Sequence, residues 1–115
     1  MGVLDFLLGR KAKQITVDAA YERALDPESP ALIVDVRQPL ERRSGAIPGS
    51  VNLPLTQLRG GQSRLPADRP LLTICRSGHR SPLAARMLKR AGYEVLDVEG
   101  GMQAWEDAGL PLDRG

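Results

Sequence analysis

Leu71-Leu72-Thr73-Ile74-Cys75-Arg76-Ser77-Gly78-His79-Arg80-Ser81-Pro82 is the stretch on which the reading of this chain turns. Its first four residues form an apolar run of strand length, and the residues after it carry a helical pattern, with Ser81 as N-cap and Pro82 at the first helical position. Leu83, Ala84, Met87, Leu88 and Ala91 make the apolar face, and Lys89, Arg90 and Gly92 supply the stop signal. A buried strand that turns directly into a helix through a glycine loop is the unit from which parallel α/β sheets are built. Ligands bind at the carboxyl ends of such strands, where Cys75 falls.

The same alternation extends in both directions. Upstream, Thr16 is an N-cap for a helix whose Val17, Ala20, Tyr21, Ala24 and Leu25 share a face, and Pro27 and Pro30 end it. Ala31 to Val36 is a continuous apolar run except for Asp35, as expected for a strand covered on both faces. A short helix over Pro39–Arg43, a short strand over Ser50–Leu53, a helical turn over Leu55–Leu58 and a loop over Gly60–Ser63 follow. Downstream, Tyr93–Val98 reads as a strand and Met102–Ala108 as a helix closed by Gly109. The fold class predicted is α/β, a parallel sheet flanked by helices on both faces. Residues 1–13 are set apart as a short N-terminal extension, and 14–115 as the domain.

Composition narrows the function. With 115 residues the chain holds one domain, and 42% apolar residues with only 3% aromatics predict an aliphatic core. A net charge of +2, from 16 basic and 14 acidic residues, is too balanced for a nucleic-acid binder. The scarcity of stacking aromatics points the same way. The apolar start, Met1 to Gly9, has no basic n-region and is too short for a membrane span, so it reads as a docked or loose segment. One cysteine excludes an internal disulfide. A cytoplasmic monomer with no metal and no organic cofactor is expected.

A lone cysteine is commonly a small buried hydrophobe. Here it is followed by two arginines, a glycine and a helix start, none of which packing requires. Loop amides, the helix dipole and the charges of Arg76 and Arg80 favour an anion at the thiol, and thiolate is the nucleophilic form. Cys75 is therefore the candidate catalytic residue, and Arg76, Ser77, Gly78, His79 and Arg80 are the candidate substrate-binding residues. Asp35 and Arg37 end a strand expected beside that of Cys75 and are candidates for a supporting ion pair. Trp105 and Met102 read as core.

Nearly the whole domain, residues 14–112, is similar to the single-domain rhodaneses, the thiosulfate sulfurtransferase family. Val34-Asp35-Val36-Arg37 with Glu41, the stretch from Gly45 to Pro54, the loop from Cys75 to Arg80, and Gly100-Gly101-Met102-Gln103-Ala104-Trp105 carry the resemblance. Ala46 departs from it, standing where the family usually has a His that takes no part in sulfur transfer. The resemblance implies a five-stranded parallel sheet. It also implies a two-step reaction in which Cys75 takes sulfur from a small anionic donor and passes it, as a persulfide, to cyanide or an external thiol. Arg76 is then the charge that steers the donor, Arg80 closes the loop on a carbonyl or an acidic neighbour, and Ser77 bonds the loop or the sulfur. His79 faces solvent.

Two other readings remain open. Dual-specificity phosphatases share the fold and a Cys…Arg loop, but theirs is one residue longer and is usually preceded by His. Here four residues separate Cys75 from Arg80, and Ile74 precedes the cysteine. A persulfide relay or a binding module serving a partner protein would use the same loop.

Overall fold

The computed structural model describes residues 12–114. The N-terminal extension, apart from Ala12 and Lys13, lies outside the described residues. In chain order the elements are β1 (Gln14–Ile15), α1 (Val17–Ala24), β2 (Leu32–Asp35), α2 (Pro39–Arg42), β3 (Val51–Asn52), α3 (Leu58–Gly61), β4 (Leu71–Ile74), α4 (Ser81–Arg90), β5 (Val95–Val98) and α5 (Gly101–Asp107). The five strands form one parallel sheet in the order β1-β5-β4-β2-β3, so β4 is central, between β5 and β2.

Period-two alternation along the buried strands divides the core. Ile33, Leu72, Ile74 and Val98 point to one face, where Val17 and Ala20 of α1 and Met102 and Trp105 of α5 cover them. Leu32, Val34, Leu71 and Cys75 point to the other, against Leu58 of α3 and Ala84 and Leu88 of α4. Trp105 is fully buried; its indole N–H donates to the Pro111 carbonyl at 2.9 Å, and its ring meets Tyr21 edge-on at 5.9 Å. Met102 and Trp105 are thus core residues. Thr16 caps α1, its Oγ1 accepting from the Ala19 amide at 3.2 Å. Among the described residues no helix is long and apolar enough to cross a membrane.

One strand carries no sequence signal, and three expectations need correction. A strand at Gln14–Ile15 was not anticipated, because two residues carry no periodicity; pairing with Asp97 and Val98 makes it a strand. The stretch Gly60–Ser63 is not an open loop but belongs to α3 and a following 3₁₀ turn over Gln62–Arg64. Close packing explains the glycine there, since a Cβ on Gly61 would lie 2.6 Å from Leu53 Cδ1. Ser81 is the first residue of α4 and Arg80 is its N-cap. The buried face of α4 is Ser81, Ala84, Ala85 and Leu88, while Leu83 is 49% exposed. The helix is turned so that the Ser81 hydroxyl enters the interior.

Candidate active site

β4 ends at Ile74, and strand alternation turns the next side chain, Cys75, toward α4, where it is fully buried. The chain then curls around the sulfur. The amides of Gly78 and Ser81 donate to Sγ at 3.2 and 3.3 Å, and the Ser81 hydroxyl lies 3.3 Å from it. Gly78 has φ +87, a conformation that glycine alone adopts readily, and a Cβ there would come within 3.3 Å of the Gly100 amide nitrogen.

The outside of the loop is held by the start of α5. The Met102 amide donates to the Cys75 carbonyl at 2.7 Å and the Gln103 amide to the Arg76 carbonyl at 3.0 Å. A trans peptide directs its N–H opposite its carbonyl, so these bonds turn the Arg76 and Ser77 amides away from α5. The close approach explains Gly101. A Cβ on Gly101 would overlap the Cys75 carbonyl oxygen and lie 2.7 Å from that of Arg76.

Arg80 closes the loop. Its NH1 and NH2 donate to the two carboxylate oxygens of Glu41 at 2.6 and 2.7 Å, a bidentate pair that ties the active loop to α2. The hydrogen-bonded Arg80 guanidinium holds the Glu41 carboxyl down at about 2, and the same bond pushes Arg80 up. Behind this clamp, Asp35 and Arg37 are 1% and 2% exposed. Arg37 Nε and NH2 bond the Asp35 carboxylate at 2.7 to 3.1 Å, and Arg42 adds a third donor group at 3.2 Å. Arg37 also donates to the carbonyls of Glu41 and Gly45 at 3.2 and 2.8 Å. Asp35 and Arg37 therefore form a buried ion pair. It fixes the backbone of the residue that grips Arg80.

The remaining loop side chains face outward. Arg76, Ser77 and His79 are exposed, and Ser77 Oγ lies 2.7 Å from His79 Nδ1, so Ser77 serves His79 and not the sulfur. Arg76 borders a cavity of about 180 Å³ with Gln103, Glu106 and Asp107. Ala46 leaves its segment anchored through the main chain, with bonds of 2.9 and 2.7 Å exchanged with Asp113. Among the described residues no group of three or more His, Cys, Asp or Glu side chains is placed to hold a metal.

Thr73, Ser81 and Asp97 join the site without having been expected there. Thr73 Oγ1 donates toward Asp97 Oδ1 at 3.1 Å, and Asp97 shares a further side-chain hydrogen bond with Ser81. The available signal was a carboxylate inside the apolar strand Val95-Leu96-Asp97-Val98.

A thiol held by loop amides at the end of a central parallel strand, with a clamped arginine closing the loop, defines a cysteine-loop α/β domain. The Rhodanese-like domain family matches residues 16–108, and the chain belongs to that family. It is 38% identical to a sulfurtransferase of Allochromatium vinosum over 86% of this chain and 92% of that one. The solved rhodanese-related protein of Thermoplasma volcanium superposes with a TM-score of 0.83 at 33% identity, over 90% of this chain and 99% of that one. A solved protein of Rhodopseudomonas palustris, described as a possible tyrosine phosphatase, gives a TM-score of 0.79 at 30% identity, over 96% and 90%.

Proposed function

We propose that this chain is a rhodanese-type sulfurtransferase that carries sulfane sulfur on Cys75. The thiolate attacks the outer sulfur of thiosulfate or of a persulfide donor; the new S–S bond forms as the donor's S–S bond breaks and, with thiosulfate, sulfite leaves. Cyanide or a thiolate then attacks the terminal sulfur, and the electron pair of the enzyme's S–S bond returns to Cys75 Sγ. Loop amides stabilise the anionic sulfur as oxyanion-hole donors stabilise developing charge. Arg76 steers the anionic donor. The observation that carries the reading is the cradle itself, two amides and a hydroxyl within 3.3 Å of Sγ in a loop sealed by Arg80 and Glu41.

The loop size favours sulfur over phosphate. Four residues between Cys75 and Arg80 enclose a ring suited to one sulfur atom. The chain works as a monomer in the cytoplasm, where its thiol stays reduced. Delivery to a dedicated protein is the second reading, favoured because the only cysteine is Cys75 and any acceptor thiol must come from outside. Intact mass measured after thiosulfate treatment tests the proposal. A gain of one sulfur, removed by a reductant and absent from Cys75→Ser, is expected together with thiocyanate formation from cyanide. A chain that takes up no sulfur from any donor is a binding module instead.

A further inference from the structure

Asp97 is fully buried, and the groups facing its carboxyl are Thr73 of β4, Ser81 of α4 and Gln14 of β1. Its partners are neutral, and no charged group contributes to the rise of its pKa above the ordinary carboxylate range, which burial causes. The titratable group nearest along this chain of contacts is Cys75, one hydroxyl away, since Ser81 Oγ lies 3.3 Å from Sγ. Such a carboxyl has no ion pair to keep it ionised.

Counting protons decides what Asp97 does to the sulfur. Ser81 has one hydroxyl proton and two candidate acceptors, the sulfur and Asp97. Thr73 likewise has one proton between Asp97 Oδ1 at 3.1 Å and the Ser81 carbonyl at 3.2 Å. An ionised Asp97 accepts only, so it draws the Ser81 proton away from the sulfur. A protonated Asp97 supplies a donor of its own and leaves the Ser81 O–H free for the sulfur.

We propose that Asp97 is a positioning residue for the chemistry of Cys75, acting through Ser81: in its protonated form it turns the Ser81 hydroxyl into a donor to the Cys75 sulfur. The inference rests on the sulfur-transfer reading for its use in the cycle. In the discharge step the acceptor bonds to the terminal sulfur, the S–S bond breaks, and Cys75 Sγ departs with the electron pair. A hydrogen bond to that departing thiolate makes it a better leaving group. Ionisation of Asp97 withdraws the bond and sets a second negative charge one hydroxyl from the first.

Asp97→Asn isolates the effect, because an amide N–H donates to Ser81 at every pH and the side chain keeps its size. The full chain is loaded with thiosulfate and discharged with cyanide in single turnovers from acid to alkaline pH, for wild type, D97N, S81A and the double variant. The ratio of D97N to wild-type discharge rate is expected to approach one toward acid and to rise to about tenfold toward alkaline pH, as one charge-assisted hydrogen bond would give. In the S81A background the ratio should collapse toward one. Iodoacetamide capture of Cys75, which needs no sulfur donor, should be faster in D97N than in wild type while the thiol is only partly ionised, because the retained bond favours thiolate. It should be slower once ionisation is complete, because the same bond blunts the nucleophile, and both differences should vanish in the S81A background. A wild type that takes up no sulfur refutes the sulfur-transfer reading, and the alkylation series still decides this inference. A ratio flat at one, a ratio below one throughout, or a rise that survives S81A overturns it.

Discussion

Glu41→Gln tests how firmly the active loop is held from outside. The two Glu41–Arg80 bonds, 2.6 and 2.7 Å, join residues 39 apart in the chain. Lowering the Glu41 carboxyl from 4.5 to about 2 corresponds to about 3 kcal/mol of folding free energy, at about 1.36 kcal/mol per pH unit. The side chains of Arg80 and Glu41 are 36% and 29% exposed, so solvent screening reduces that to about 1.5 kcal/mol. The carboxyl is more acidic in the folded chain than in the unfolded one. Its contribution is therefore complete above about 4.5 and is lost as pH falls toward 2. Urea unfolding of wild type and E41Q should show a gap of about 1.5 kcal/mol at neutral pH that closes on acidification through this window. Sulfur loading of E41Q should fall in parallel, because Arg80 no longer fixes the end of the loop. A neutral-pH gap below about 0.3 kcal/mol, or one that acid leaves unchanged, would refute the reasoning, since an exposed pair contributes no more than that at its weakest.

Gly101→Ala should force its Cβ against the Cys75 and Arg76 carbonyls; sulfur transfer should drop by about 100-fold, the scale of an ångström-sized misplacement, while the fold persists in circular dichroism. Asp35→Asn leaves Arg37 buried without its counter-ion and should cost about 3 to 5 kcal/mol in urea unfolding, far more than E41Q. Wild type should turn over thiosulfate and leave an aryl phosphate untouched when both are assayed side by side; hydrolysis of the phosphate with no sulfur transfer would install the phosphatase reading. Cys75→Ala should abolish turnover and, because Cys75 packs among Val34, Leu71 and Leu88, also lower stability by about 1 kcal/mol in urea unfolding.

Local pattern was enough for the framework. The runs 31–36 and 71–75, the capped helix after Thr16, and the glycine loop after Ile74 are legible because backbone periodicity and capping act over neighbouring residues. They also placed the thiol at a strand end, beside Arg80, and brought Asp35 near it. What decided the working site lies between segments far apart in the chain. Sheet order alone sets β5 beside β4, so that Asp97 reaches Thr73 and Ser81, and it places β1 so that Gln14 covers the same carboxyl. Glu41 is an ordinary helix-start residue until the loop after β4 brings Arg80 to it. Gly101 is one residue among several that carry the family resemblance, but its meaning is the closeness of α5 to the Cys75 carbonyl. Ser81 shows the division most clearly: its sequence position suits a helix cap, whereas the rotation of α4 against the sheet brings its hydroxyl inside, 3.3 Å from the sulfur. Hydrogen-bond partners chosen across the sheet depend on packing, which no local window of residues contains.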